Sequence, residues 1–255
     1  MSYTIAVCGK GGSGKTTFSG LLIRQLLEKQ KGDSIIAIDA DPNANLDEAL
    51  GVSADNSIVA LIDDIAKNPD KVPKGMTKNR YLEYHVQDAV VEGEGFDLLA
   101  MGRPEGPGCY CYANNLLRAL IDKLGKAYSY MVIDNEAGME HLSRRTTRKI
   151  DLLFVVSEYT VIGLRSAKRI LDLTRELEIS VKEARLVVNK APQGVDKLRT
   201  EIDKMGMPFA GAIPQDEDVF NLSLDSANVM SLSQDSKAFQ AVSRIYEEVS
   251  CLLNK

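Results

Sequence analysis

The chain is expected to adopt an α/β fold: one doubly wound, mostly parallel sheet with helices on both faces. Three observations predict it. Short apolar runs alternate with segments of helical periodicity through most of the chain. A glycine-rich loop sits between the first apolar run and the first helical segment. Polar and acidic motifs follow the carboxyl ends of the runs, where open α/β sheets place their ligands.

The first run, Thr4 to Cys8, is long enough for one buried strand. It feeds Gly9-Lys10-Gly11-Gly12-Ser13-Gly14-Lys15-Thr16-Thr17, which fits the phosphate-loop pattern of a glycine, four residues, then Gly-Lys-Ser/Thr. Phe18, Leu21, Leu22 and Leu26 then recur at helical spacing. A strand therefore leads through a glycine turn into a helix. Backbone N–H groups from Gly11 to Thr17 and the helix N-terminus converge on one spot that favours an anion. Lys15 can reach the β- and γ-phosphates of ATP, or the β-phosphate of ADP, and the Thr16 hydroxyl can ligate Mg.

Ser34 to Asp39 is the second run and ends in Asp39-Ala40-Asp41-Pro42. Residues 43–50 and 57–67 suggest short helices. Residues 68–80, with Pro69, Pro73 and Gly75, suggest a surface loop. Residues 81–92 fit strand or helix equally. Phe96 to Met101 is a buried strand candidate, followed by a glycine- and proline-rich loop carrying Cys109-Tyr110-Cys111. Residues 114–124 show a clean helical face. Tyr128 to Ile133 is a strand ending at Asp134, in the run Asp134-Asn135-Glu136-Ala137-Gly138. Strands follow at Leu152–Val156, at Ala184–Val188 ending in Asn189-Lys190, and at Phe209–Ile213 ending in Pro214. Helices are expected at 161–177, 195–204 and 237–253. No linker or internal repeat appears, so residues 1–255 are expected to form one P-loop domain.

Bulk properties narrow the function. At 255 residues and 44% apolar content the chain can bury a sizeable core, and no run of 18 apolar residues could span a bilayer. The N-terminus enters a strand with no charged-then-apolar leader, so a cytoplasmic location is expected. A net charge of −5 argues against nucleic acid as a partner. The cysteines stand at 8, 109, 111 and 251, and in a reduced setting metal or catalytic roles outrank disulfides.

The lysine that follows the first glycine, Lys10, makes this loop resemble that of the deviant Walker A ATPases, the family of MinD, ParA and the nitrogenase iron protein. The resemblance implies a nucleotide-sandwich homodimer in which Lys10 reaches the partner's nucleotide. It implies that Asp41 positions the attacking water and that Asp39 helps hold Mg through water. The alternative for both is that they cap the helix after Pro42. Asp134 matches the acidic end of a Walker B strand and would hold Mg, while Gly138 would let a backbone N–H approach the γ-phosphate. In that family Asn189 reads the adenine edge, with Lys190 and Pro214 beside it.

Cys109 and Cys111 offer two thiols on one loop at the start of a helix, where the dipole favours thiolate. Two thiolates do not complete a tetrahedral soft-metal site, but a two-fold dimer brings four sulfurs together. With Glu136-Ala137-Gly138-Met139-Glu140-His141, the pair makes almost the whole chain resemble the CooC-type accessory ATPases. That resemblance implies Ni or Zn held by Cys109 and Cys111, and nickel-containing carbon monoxide dehydrogenase or acetyl-CoA synthase as client. His141 is a lesser candidate ligand, and His85, Cys8 and Cys251 receive no role. The nitrogenase iron protein's family holds its shared cluster with one cysteine after each of two different strands, and no cysteine occurs here between 112 and 250. An iron–sulfur carrier or electron-transfer ATPase, the alternative reading, would bind a cluster through the two Cys109-Tyr110-Cys111 motifs of a dimer. A spatial regulator of the MinD or ParA kind would need a basic membrane tail or a basic DNA face. The C-terminal segment has few basic residues.

Overall fold

A computed structural model describes residues 2–42, 45–54, 56–102, 124–135, 149–192, 195–225 and 227–253. Eight strands form one sheet: β1 (Tyr3–Gly9), β2 (Ile35–Asp39), β3 (Val90–Glu92), β4 (Asp97–Ala100), β5 (Tyr130–Asp134), β6 (Lys149–Glu158), β7 (Ser180–Ala191) and β8 (Phe209–Pro214). Their order is β3-β4-β2-β5-β1-β6-β7-β8. All neighbours are parallel except β3, which runs antiparallel to β4.

The helices are α1 (Lys15–Lys29), α2 (Leu46–Leu50), α3 (Ile58–Lys67), α4 (Lys78–His85), α5 (Val161–Glu176), α6 (Arg199–Asp203), α7 (Glu217–Leu224) and α8 (Lys237–Leu253). They cover both sheet faces, and strand alternation shows how. Ile5 and Val7 of β1 join Phe18 and Leu22 of α1 and Val242 and Ile245 of α8. Ala6 and Cys8, one residue out of step, join Leu164 and Ala167 of α5. On β2, Ile35 and Ala37 face the α1 layer, whereas Ile36 and Ile38 pack with Ile58, Ile65 and Leu82 of α3 and α4. A strand buried on both faces has no polar side, which is why β1 and β2 read as unbroken apolar runs. No helix among the described residues is long and apolar enough to cross a membrane.

The structure sharpens several expectations. Residues 81–92 divide between states: α4 starts where the Thr77 hydroxyl accepts the Arg80 N–H, and β3 follows a 3-10 turn at Val86–Ala89. The surface loop expected over 68–80 therefore yields its last residues to α4. The segment 195–204 is a 3-10 turn followed by the short α6. Strands β6 and β7 outrun their apolar stretches because they pair from Lys149↔Ser180 to Glu158↔Asn189, and backbone pairing does not require apolar side chains. The helix expected at 114–124 lies outside the described residues apart from its last position.

The chain leaves β1 for β2 and β4 on one side, returns to insert β5 between β1 and β2, and then crosses to β6 on the other side. The carboxyl ends of β1, β5 and β6 therefore flank the reversal in strand order, where a crevice forms.

Candidate active site

The loop after β1 occupies that crevice. A Cβ on Gly9 would collide with the Val156 carbonyl of β6 and come within 2.8 Å of Ser13 Oγ, so only glycine lets the loop leave the strand this closely. Gly14 caps α1 in the left-handed region, with φ 87°, and a Cβ there would strike the Asn189 amide. No side chain caps the N-terminus of α1, which leaves the amides of its first turn to an incoming anion. Gly11, Gly12 and Lys10 are exposed on the loop, Ser13 and Lys15 are buried, and Thr16 and Thr17 are half-buried.

Thr16 Oγ1 donates to Asp134 Oδ2 at 2.6 Å, and Ser19 Oγ donates to Asp134 Oδ1 at 3.1 Å. Thr16 and Ser19 are three residues apart, so one helix face presents both hydroxyls. Asp134 is the register partner of Asp39 across β5 and β2. The Asp39 carboxylate accepts the Asp41 N–H at 3.0 Å and the Leu46 N–H at 2.9 Å, the second at the start of α2. The bond from Leu46 is the kind of contact that the capping alternative for Asp39 expects. Asp41 follows β2 at the same edge and is half-buried. Asn135 donates to the Val7 carbonyl at 2.9 Å and to that of Ile133 at 3.3 Å, tying the end of β5 to β1.

Burial is the main influence on both carboxyls. It pushes Asp39 up to about 7, against its two backbone N–H bonds and with the Asp134 charge adding to the rise. Asp134 is pushed up to about 6, opposed by the Thr16 bond and the Lys15 charge. Two hard oxygen acids and a hydroxyl form a donor set suited to Mg.

β7 grips the loop from the other side. Asn189 Nδ2 donates to the Ser13 carbonyl at 2.8 Å, and Asn189 Oδ1 accepts the Lys190 N–H at 2.8 Å. Lys190 sits at φ 57°, unusual for a residue with a side chain, and its Nζ donates to the Gly12 carbonyl at 2.9 Å. Beside this clamp opens a cleft of about 630 Å³, bounded by Thr17, Asn189, Pro214, Val219, Phe220 and Val229. That volume falls within the range of small-molecule sites. Asp216, at the start of α7, ties the cleft to α8: one carboxylate oxygen accepts the Asp218 N–H, the other the Ser236 hydroxyl and the Ala238 N–H.

The structure therefore brings together Lys15, Thr16, Asp39, Asp41 and Asp134 at one edge, with Asn189, Lys190 and Pro214 alongside. Gly138, Cys109, Cys111 and His141 lie outside the described residues. Sequence reasoning missed Ser19 and Asn135. The i, i+3 spacing from Thr16 could have flagged Ser19, whereas the reach of Asn135 to Val7 depends on strand order. Cys8 is buried, donates to the Phe154 carbonyl, and has its thiol pushed up to about 12 by burial. His85 stacks on Tyr81 and bonds Asp88 at 2.6 Å as a local pair. Among the described residues no group of three or more His, Cys, Asp or Glu could hold a metal ion.

A family profile described as the CobQ/CobB/MinD/ParA nucleotide binding domain matches residues 4–229. An uncharacterized ATP-binding protein of Methanocaldococcus jannaschii is 40% identical over 248 residues, covering 96% of this chain and 97% of its own. The carbon monoxide dehydrogenase accessory protein CooC of Rhodospirillum rubrum is 35% identical over 226 residues, covering 82% and 84%. Among solved structures, the septum site-determining protein MinD of Pyrococcus horikoshii, complexed with Mg-ADP, superposes with a TM-score of 0.73. It is 22% identical and covers 100% of this chain and 98% of its own.

Proposed function

The chain belongs to the CobQ/CobB/MinD/ParA nucleotide-binding family, and we propose that it is a Mg-dependent ATPase that assists nickel insertion into carbon monoxide dehydrogenase or acetyl-CoA synthase. The observation that carries the ATPase half is the 2.6 Å bond from Thr16 of the phosphate loop to Asp134 at the end of β5. It joins two motifs 118 residues apart in the pairing that phosphoryl transfer requires. Thr16 and Asp134, with Asp39 beside them, would hold Mg, directly or through water, and the ion would supply charge neutralisation for the phosphates. Lys15 and the loop amides from Gly11 to Thr17 bind the triphosphate. Asp41 orients the attacking water, and Gly138 offers a backbone N–H to the γ-phosphate. Asn189, Lys190 and Pro214 border the nucleoside.

The metal half is supported by the CooC relative and by Cys109-Tyr110-Cys111. Two such motifs in a two-fold dimer supply the four soft ligands that Ni or Zn takes. Lys10, exposed at the loop tip, is free to approach the partner's nucleotide. A spatial regulator of the MinD kind would need an apolar helix face for a membrane. Helix α8 itself does not offer such a face, since it buries Val242, Ile245 and Val249 in the core it shares with α1.

Two variants test the assignment. Lys15→Ala is expected to lose ATP affinity itself. Asp41→Ala is expected to bind ATP but to lose turnover by about 10²-fold or more, since a positioned proton acceptor is worth that much. Full hydrolysis by Asp41→Ala removes that residue from the mechanism.

A further inference from the structure

Arg24 takes no part in the chemistry above, yet three elements meet on its side chain. It lies on α1 with only 11% of the side chain exposed. Its Nη1 donates to the carbonyls of Val229, at 3.3 Å, and of Leu232. Its Nε donates to Glu28 Oε1 at 3.1 Å, and its guanidinium carbon sits 4.3 Å from the centroid of the Phe239 ring of α8. The two carbonyls bracket a 3-10 turn, Val229–Ser231, which Asn228 closes by accepting the Ser231 N–H at 3.1 Å.

That turn is part of the cleft wall. Ala227 and Val229 line the cleft, and so does Ala238 just after the turn. Two glycines admit the wall this close. A Cβ on Gly20 of α1 would stand 2.6 Å from Val229 Cγ2, and one on Gly51 would strike the Asn228 amide. Val229 and Leu232 pack into the core shared with α1 and α8, and Arg24 adds the charged contacts that fix the carbonyls of the turn.

We propose that Arg24 is a positioning residue for the nucleoside: it holds residues 227–232 against α1 and so sets the width of the base side of the cleft. This rests on the reading of the cleft as the nucleoside pocket. A planar guanidinium can reach two carbonyls, a carboxylate and a ring face at once, whereas a lysine ammonium keeps the charge but not that geometry.

The test compares ATP with inorganic tripolyphosphate, which carries the phosphates without a base. Binding is measured by calorimetry with Mg for wild type, Arg24→Lys and Asn228→Ala, the last loosening the same turn from its outer side. Both variants are expected to weaken ATP by about tenfold, roughly the worth of one charge-assisted hydrogen bond. Tripolyphosphate affinity and kcat at saturating ATP are expected to stay at wild-type values while KM rises. Equal weakening of both ligands, or unchanged ATP affinity in both variants, overturns the proposal while leaving the pocket reading intact. Wild type that binds ATP no better than tripolyphosphate overturns the pocket reading, and the proposal falls with it.

Discussion

Burial sets Asp39 and Asp134 against their own charge. Both are about 1% exposed, and they stand as register partners on adjacent strands. Their ordinary value of 3.8 rises to about 7 and about 6 in the fold, with desolvation the leading cause for each. Between about pH 4 and pH 7 the folded chain therefore keeps protons that the unfolded chain has lost. By linkage, this pair favours the metal-free fold most at the acid end of that window and progressively less as pH rises through it. Asp39→Asn removes one titrating member. In chelator, the thermal midpoint of the wild type is expected to fall more steeply from pH 5 to pH 8 than that of Asp39→Asn. The corresponding difference in unfolding free energy should be on the order of a few kcal/mol, since one pKa unit is about 1.4 kcal/mol. Mg added at pH 8 should recover wild-type stability, because a divalent ion stabilises the charged pair. Parallel pH slopes for the two proteins would show that Asp39 is charged throughout.

The phosphate loop owes its shape to the elements on either side. Asn189 and Lys190 of β7 hold the Ser13 and Gly12 carbonyls, and Gly14 leaves room for the Asn189 amide. Gly12 also has a positive φ, 77°, but a Cβ there would meet nothing within 4 Å. Gly12→Ala therefore carries only the left-handed backbone cost of about 1–2 kcal/mol. Gly14→Ala adds displacement of Asn189 and is expected to weaken ATP binding and lower the melting temperature more than Gly12→Ala. Asn189→Ala, which leaves the buried Ser13 carbonyl without this donor, should cost about 1–3 kcal/mol of stability. A Gly14→Ala protein indistinguishable from Gly12→Ala in both assays would refute the clamp. The same elements show what a sequence discloses. Helix α8 was legible to the residue, and α5 to within one, because each shows a strong apolar stripe. α7 escaped notice because it is only eight residues long and buries none of them fully. The loop motif was legible because its parts are consecutive. The grip of Asn189 on Ser13 spans 176 positions, and the pairing of Asp39 with Asp134 depends on β5 inserting beside β2. Neither can be read from local pattern.

At the scale of the whole molecule, the proposed function requires two copies. One chain offers Cys109 and Cys111, and a tetrahedral soft-metal site takes four ligands. The expected stoichiometry is therefore one Ni or Zn per dimer, not one per chain. Ligation needs thiolates, so affinity should fall as pH drops and binding should release protons. Metal should favour the dimer, and whatever closes the dimer should tighten the metal by the same factor. Lys10 supplies the nucleotide arm of that linkage. If it acts across the interface, Lys10→Ala should still bind ATP as a subunit yet lose nucleotide-dependent dimerisation, with turnover reduced by roughly 10³-fold, the worth of a cation supplied in trans. The Cys109→Ser, Cys111→Ser double variant should do the reverse, losing metal and metal-induced dimerisation while binding nucleotide as the wild type does. Metal analysis alongside light scattering, each with and without ATP, separates the two arms. A double variant that still carries one tight metal per dimer would move the site away from the cysteine pair, toward Glu136 and His141 of the neighbouring switch.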